Sequence, residues 1–164
     1  MAGYQRCIFL ALACLLLCHD SLEVKAIEGS NNEYHKFLSR HMPKNAPTSA
    51  NADEWLKFLG PNGFARNENK RSFLNDIKKV KAVCTSQGGL QYNSAVKLCI
   101  SRKKFHFIRV TKTSSKKGNP YTPLKVYKHL ILACEDGLPI HFEANGGGHT
   151  PEHTSLGCGG GKAE

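Results

Sequence analysis

The run KHLILACEDGLPIHFEA, residues 128–144, carries the most local information in the chain. Leu130, Leu132 and Cys134 alternate with Ile131 and Ala133, the pattern of a buried strand. Glu135-Asp136-Gly137 supplies turn chemistry, because glycine enters the positive-φ region without steric cost. The chain then returns through Pro139-Ile140-His141-Phe142-Glu143, with His141 between two large apolar residues. A strand histidine with a carboxylate two residues on, here Glu143, can be oriented and tuned as a general acid. A half-buried structural histidine fits the same pattern, and this run alone does not separate the two.

Working outward, Ala95–Arg102, Phe105–Thr113 and Leu124–Cys134 also alternate as strands. With Pro139–Ala144 they make an antiparallel set, and Ser114–Pro123 reads as a loop. Upstream of Cys84 the period becomes helical. Ser30-x-x-Glu33 is a capping box, Tyr34, Phe37, Leu38 and His41 share one helix face, and Pro43 ends the helix. His41 therefore stands at a helix C-terminus, where the dipole is expected to raise its pKa. Lys44–Ala50 reads as a linker. Asn51-x-x-Glu54 caps a second helix with Trp55, Leu56 and Leu59 on its apolar side, ended by Gly60-Pro61. Asn62–Arg71 reads as a polar loop. Phe73, Ile77 and Val80 recur at helical spacing toward Cys84, with Lys78, Lys79 and Lys81 on the solvated side. Helices first and strands later predict an α+β fold.

Arg6 precedes the apolar run Cys7–Cys18, and Val24 and Ala26 offer small residues around a cleavage site. Residues 1–26 are expected to be a secretory signal peptide, residues 27–144 the folded domain, and residues 145–164 a Gly-rich tail. The apolar run is too short to span a bilayer, so a secreted, extracellular protein is expected. The signal carries Arg6 and Lys25 against Asp20 and Glu23, so the net charge of +10 is unchanged by its removal. Such a charge attracts polyanions, whether nucleic acid, glycosaminoglycan or an anionic membrane surface. Cys7, Cys14 and Cys18 leave with the signal. Cys84, Cys99, Cys134 and Cys158 remain, and in an oxidising compartment they suggest two disulfides with three possible connectivities. No Cys-x-x-Cys pair exists, and His149, His153 and Cys158 are an incomplete ligand set, so no metal or other cofactor is expected.

Lys36-Phe37-x-x-x-His41-Met42, Val80-Lys81-Ala82-Val83-Cys84 and the run ACEDGLPIHF at 133–142 resemble three pieces of the pancreatic ribonuclease (RNase A) superfamily. These are its first helix, third helix and terminal hairpin, in the same order. Leu98-x-Ile100-Ser101, with its spacing to Phe105, resembles the angiogenin-like branch. The resemblance implies an RNase A-like α+β fold, with short N-terminal helices packed on a bent antiparallel sheet. It also implies an endoribonuclease that cleaves RNA through a 2′,3′-cyclic phosphate. His41 would be the base that takes the 2′-OH proton, and His141 the acid that protonates the leaving 5′-oxygen. Glu143 would orient His141, and Phe142 would pack beside the pyrimidine site. RNA supplies its own nucleophile, so two imidazoles and positive charge suffice.

The signature Cys-Lys-x-x-Asn-Thr-Phe of that superfamily corresponds here to NENKRSF, residues 67–73. Its cysteine is absent, Glu68 stands at the catalytic lysine position, and Ser72 keeps the hydroxyl of the base-reading threonine. Losing one charge-stabilising group typically costs about 10²–10³ in rate. Lys70 is the expected replacement, and Arg40, beside His41, a second grip on a phosphate oxygen. On this reading Glu68 repels phosphate, and Glu68→Lys raises turnover. The resemblance also implies a Cys84–Cys134 bridge. Two further bridges of the superfamily lack partners, with Trp55 near one position and Val110 at another. Cys99 and Cys158 have no counterparts there and are left for a private bridge that ties the tail. The partner implied is RNA, bound by a monomer. The rival class is a non-catalytic secreted protein that binds a glycosaminoglycan or a cell-surface receptor. A membrane-disrupting protein is the weakest reading, since no basic amphipathic helix stands out.

Overall fold

In the computed structural model, helix α1 covers residues 31–41 and ends before Pro43. The structure describes residues 29, 31–60, 63–65, 68–93, 97–113, 119–143 and 156–159. Ser30 of the capping box, the expected signal segment 1–26, His149 and His153 lie outside them. Phe37 and His41 face inward at 2% and 7% exposure, as the 3.6-residue spacing requires. Helix α2 (Ala52–Leu59) begins where the Asn51 side chain accepts from the Asp53 and Glu54 amides. Helix α3 (Ile77–Ala82) begins at Asp76, whose carboxylate accepts from the Lys79 amide.

Among the described residues, seven strands follow the sequence reading in part. They are β1 (Lys70–Phe73), β2 (Gly89–Asn93), β3 (Leu98–Ser101), β4 (Phe105–Lys112), β5 (Tyr121–Lys128), β6 (Ile131–Glu135) and β7 (Leu138–Phe142). All pair antiparallel, in a three-stranded sheet β1-β4-β5 and a four-stranded sheet β2-β3-β6-β7. The loop expected over 62–71 gives way to strand β1 at Lys70, and Phe73 belongs to that strand, not to a helix. The loop expected over 114–123 likewise ends early, at Tyr121.

The strand expected over 124–134 divides in two at His129-Leu130. Leu130 N–H donates to Ser101 Oγ (2.9 Å), Ser101 N–H donates to Leu130 O (2.8 Å), and His129 Nδ1 lies 2.7 Å from Ser101 O. Ser101 is fully buried, so its polar groups need these partners. Here the chain leaves one sheet for the other. The predicted hairpin closes with both Asp136 and Gly137 at positive φ, 50° and 72°, as a two-residue type I′ turn demands.

One core, including Phe37, Val80, Phe107, Val126, Leu132 and Phe142, fills the space between the two sheets beneath α1 and α3. Trp55, Phe73, Ile108, Val110 and Tyr121 form a second cluster on the other face of the three-stranded sheet. Trp55 and Val110, near the two positions without bridge partners, are both fully buried in that cluster. Aromatic and aliphatic burial stabilises both positions without a disulfide.

Cys84 is joined to Cys134 and Cys99 to Cys158. The second bridge seats Leu156–Gly159 along β2, where Gln91 N–H donates to Leu156 O (2.7 Å) and Cys158 N–H to Gly89 O (3.1 Å). Gly157 is required there, since a Cβ would stand 2.6 Å from the Ser86 Cβ. Cys158→Ser is expected to cost about 2–4 kcal/mol in urea unfolding. It should also speed hydrogen exchange of the Gln91 amide. An unchanged midpoint would mean that strand pairing holds the tail without the bridge.

Candidate active site

His41 comes from the end of α1 and is pinned to the strand beside it. Leu74 N–H donates to His41 O (2.7 Å), and His41 Nδ1 lies 2.8 Å from Ser72 O. A carbonyl only accepts, so Nδ1 carries the proton and Nε2 keeps its lone pair. The ring packs between Phe37 and Phe142, with centroids 5.2 and 5.4 Å away.

Burial pushes the His41 pKa down from 6.5 to about 4. The bond to Ser72 O opposes that shift, and the charges of Arg40, Arg71 and His141 add to it. The helix-dipole expectation of a raised pKa is therefore reversed. The dipole acts on an exposed end, whereas this imidazole is enclosed by aromatic rings.

β7 supplies the opposite wall. One extra residue on β7 interrupts its pairing with β6, after which Ala133 faces His141 and Leu132 faces Phe142. His141 is exposed, while Phe142 is buried against His41 and Phe107. His41, His141, Phe142 and Glu143 line one cleft of about 180 Å³, joined by Arg40, Lys70 and Ser72. The tertiary structure thus gathers every catalytic and substrate-contacting candidate named from the sequence. It also adds Arg71 and Arg109, which sequence reasoning missed.

Register explains Arg109. Ser72 faces Arg109 and Lys70 faces Thr111 across β1 and β4. Facing residues share a side of the sheet, so Lys70, Ser72 and Arg109 point toward the cleft. The arginine in the strand pattern FHFIRVTK was the available signal, but it became informative only with its partner known.

Glu68 is not the bare anion that the sequence suggests. Arg71 grips it with Nε to Oε1 (2.8 Å) and Nη2 to Oε2, and Arg40 Nη2 reaches Oε1 at 2.9 Å. Its side chain is 8% exposed. Burial pushes the carboxyl upward, but the Arg71 hydrogen bond and the charges of Arg71 and Arg40 outweigh it and hold the pKa below its usual value. The Arg71 guanidinium lies over the Phe64 and Phe73 rings at 5.0 and 5.9 Å. The clamp carries net charge +1, so it does not repel phosphate as a lone carboxylate would.

No protein-family model matches the chain. Mouse angiogenin-3 is 30% identical over 122 residues, covering 69% of this chain and 78% of angiogenin-3. The chain belongs to the RNase A superfamily, in its angiogenin-like branch. A second superfamily member, rat pancreatic gamma-type ribonuclease, is 28% identical over 153 residues, covering 86% of this chain and 97% of that protein. Among solved RNase A-like structures, zebrafish RNase5 superposes with a TM-score of 0.54 at 18% identity, covering 71% of this chain and 97% of its own. Green turtle egg white ribonuclease gives 0.53 at 19%, covering 68% and 96%. At those identities the structural likeness is one of RNase A-like fold.

Proposed function

We propose that this RNase A-superfamily protein is a secreted endoribonuclease that cleaves RNA by transphosphorylation to a 2′,3′-cyclic phosphate. The observation that carries the reading is His41, neutral with its Nε2 lone pair available, in one cleft with His141. Nε2 takes the proton from the ribose 2′-OH, and that oxygen attacks phosphorus. The bond from phosphorus to the 5′-oxygen breaks, and His141 delivers a proton to that oxygen. Charge on the non-bridging oxygens is met by Lys70, which makes none of the ion pairs that engage Arg40 and Arg71 among the described residues. The remaining N–H groups of Arg40 face the same phosphate. Ser72 offers its hydroxyl to the base, and Glu143, two residues from His141, orients the acid.

The Glu68 clamp favours a second reading, binding of RNA or another polyanion without turnover, because it engages two arginines that could otherwise stabilise the transition state. Cleavage of RNA by the purified chain without its signal peptide distinguishes the two, with the cyclic phosphate as the product to identify. The acid limb of kcat/KM is expected near pH 4, not 6.5, because His41 stays unprotonated until pH falls through its lowered pKa. Binding without cleavage at any pH would establish the second reading.

A further inference from the structure

The face of the three-stranded sheet opposite the His41–His141 cleft carries a second basic surface. Along β4, His106 shares a side with Ile108 and Val110, which are buried in the Trp55 cluster. That cluster stops short of His106, whose register partner is Tyr127 on β5. The two rings stack with centroids 4.2 Å apart and planes 18° from parallel. Tyr127 is nevertheless 55% exposed. Lys104 Nζ stands 5.7 Å from the tyrosine ring, so an incoming planar group meets a flexible ammonium, not a packed neighbour.

From His106 a groove of about 950 Å³ runs between α3 and the turn joining β3 to β4. Lys78, Arg102, Lys103 and Lys104 line it, all exposed. Lys79 lies there too, paired with Asp76 at 2.8 Å, so that pair adds no net charge. On the other side of His106 a smaller depression of about 240 Å³ continues to Lys125. A stacked aromatic pair with a run of cations on one side and Lys125 on the other matches a strand that alternates flat bases with phosphates. The flat, near-parallel ring pair suits a planar base better than the puckered ring of a sulfated polysaccharide.

We propose that the His106–Tyr127 pair and the adjoining basic groove form a binding surface for single-stranded nucleic acid, separate from the catalytic cleft. A base stacks on the aromatic pair, and flanking phosphates lie along Lys104, Lys103 and Lys78. The surface holds a long strand while the cleft on the other face acts on one linkage of it. It does not depend on turnover at the cleft.

The test uses the full chain without its signal peptide and a fluorescein-labelled single-stranded oligodeoxynucleotide of about a dozen nucleotides. This probe lacks the 2′-OH and is not cleaved. Tyr127→Ala is expected to weaken binding by about 5- to 100-fold in anisotropy, and Tyr127→Phe to keep it. Combining Lys78→Gln, Lys103→Gln and Lys104→Gln should flatten the dependence of log Kd on log salt by about 2. Cleavage of a dinucleotide, too short to span both faces, should be unchanged in either variant. If Tyr127→Ala binds the probe as wild type does, the nucleic-acid surface is overturned. If, in addition, the lysine variant loses heparin and oligonucleotide equally, the groove is a general polyanion site. Absence of RNA cleavage with intact probe binding would overturn the endoribonuclease reading and leave this one standing.

Discussion

His141→Ala is expected to lower kcat/KM for RNA cleavage by about 10²–10⁴-fold, the contribution of one positioned acid or base. His141 is exposed on β7 and its removal opens no cavity, so the loss should come without a loss of stability. His41→Ala should reduce activity by a similar factor, but it also empties a buried site and strands the Ser72 carbonyl. His141→Ala is therefore the cleaner measurement. The double variant should be little worse than either single one, because two groups that act in one proton relay do not contribute additively. The readout is the initial rate on a fluorogenic RNA substrate, with the unfolding midpoint as control. Wild-type activity in His141→Ala would remove that residue from the mechanism.

The second large effect reverses an expectation from the sequence. Glu68→Lys, which restores the superfamily residue, would place an ammonium beside Arg40 and Arg71 where a shared carboxylate now binds both. Removing one partner of a largely buried pair leaves uncompensated charge, and a loss of about 3–5 kcal/mol in urea unfolding is expected. No gain in turnover should accompany it, since the neighbouring Lys70 would then meet three further cations. Glu68→Gln keeps an acceptor for Arg71 and should cost less. If Glu68→Lys is as stable as wild type and cleaves faster, the clamp has no structural role and the sequence expectation stands.

Patterns with a short period were legible without coordinates. The face Tyr34-Phe37-Leu38-His41, the Asn51 cap and the Asp136-Gly137 turn each follow from backbone geometry over a few residues, and the structure contains all three. The alternation of 124–134 was also real, yet it did not reveal the crossing between sheets. Both halves keep the same side-chain phase, and the break is fixed by Ser101, almost thirty residues earlier in the chain. β2 passed unread because its alternation, Leu90-Gln91-Tyr92-Asn93, is only four residues long. Its pairing comes from β3 and from the bridged tail.

The site divides in the same way. The sequence by itself determined which side chains could do acid–base chemistry, since His41 and His141 stand in order against a family pattern, with Lys70 two residues from the position of its lysine. It could not determine their electrostatics. Burial between Phe37 and Phe142 outweighs the helix dipole at His41, and Arg71, expected in a loop, turns Glu68 from a repulsive charge into the centre of a clamp. Desolvation and ion pairing depend on which atoms surround a group in space, and those atoms come from α1, β1, β4 and β7 together. Residue type is local, whereas the charge that a residue carries in a cleft is settled by tertiary contact.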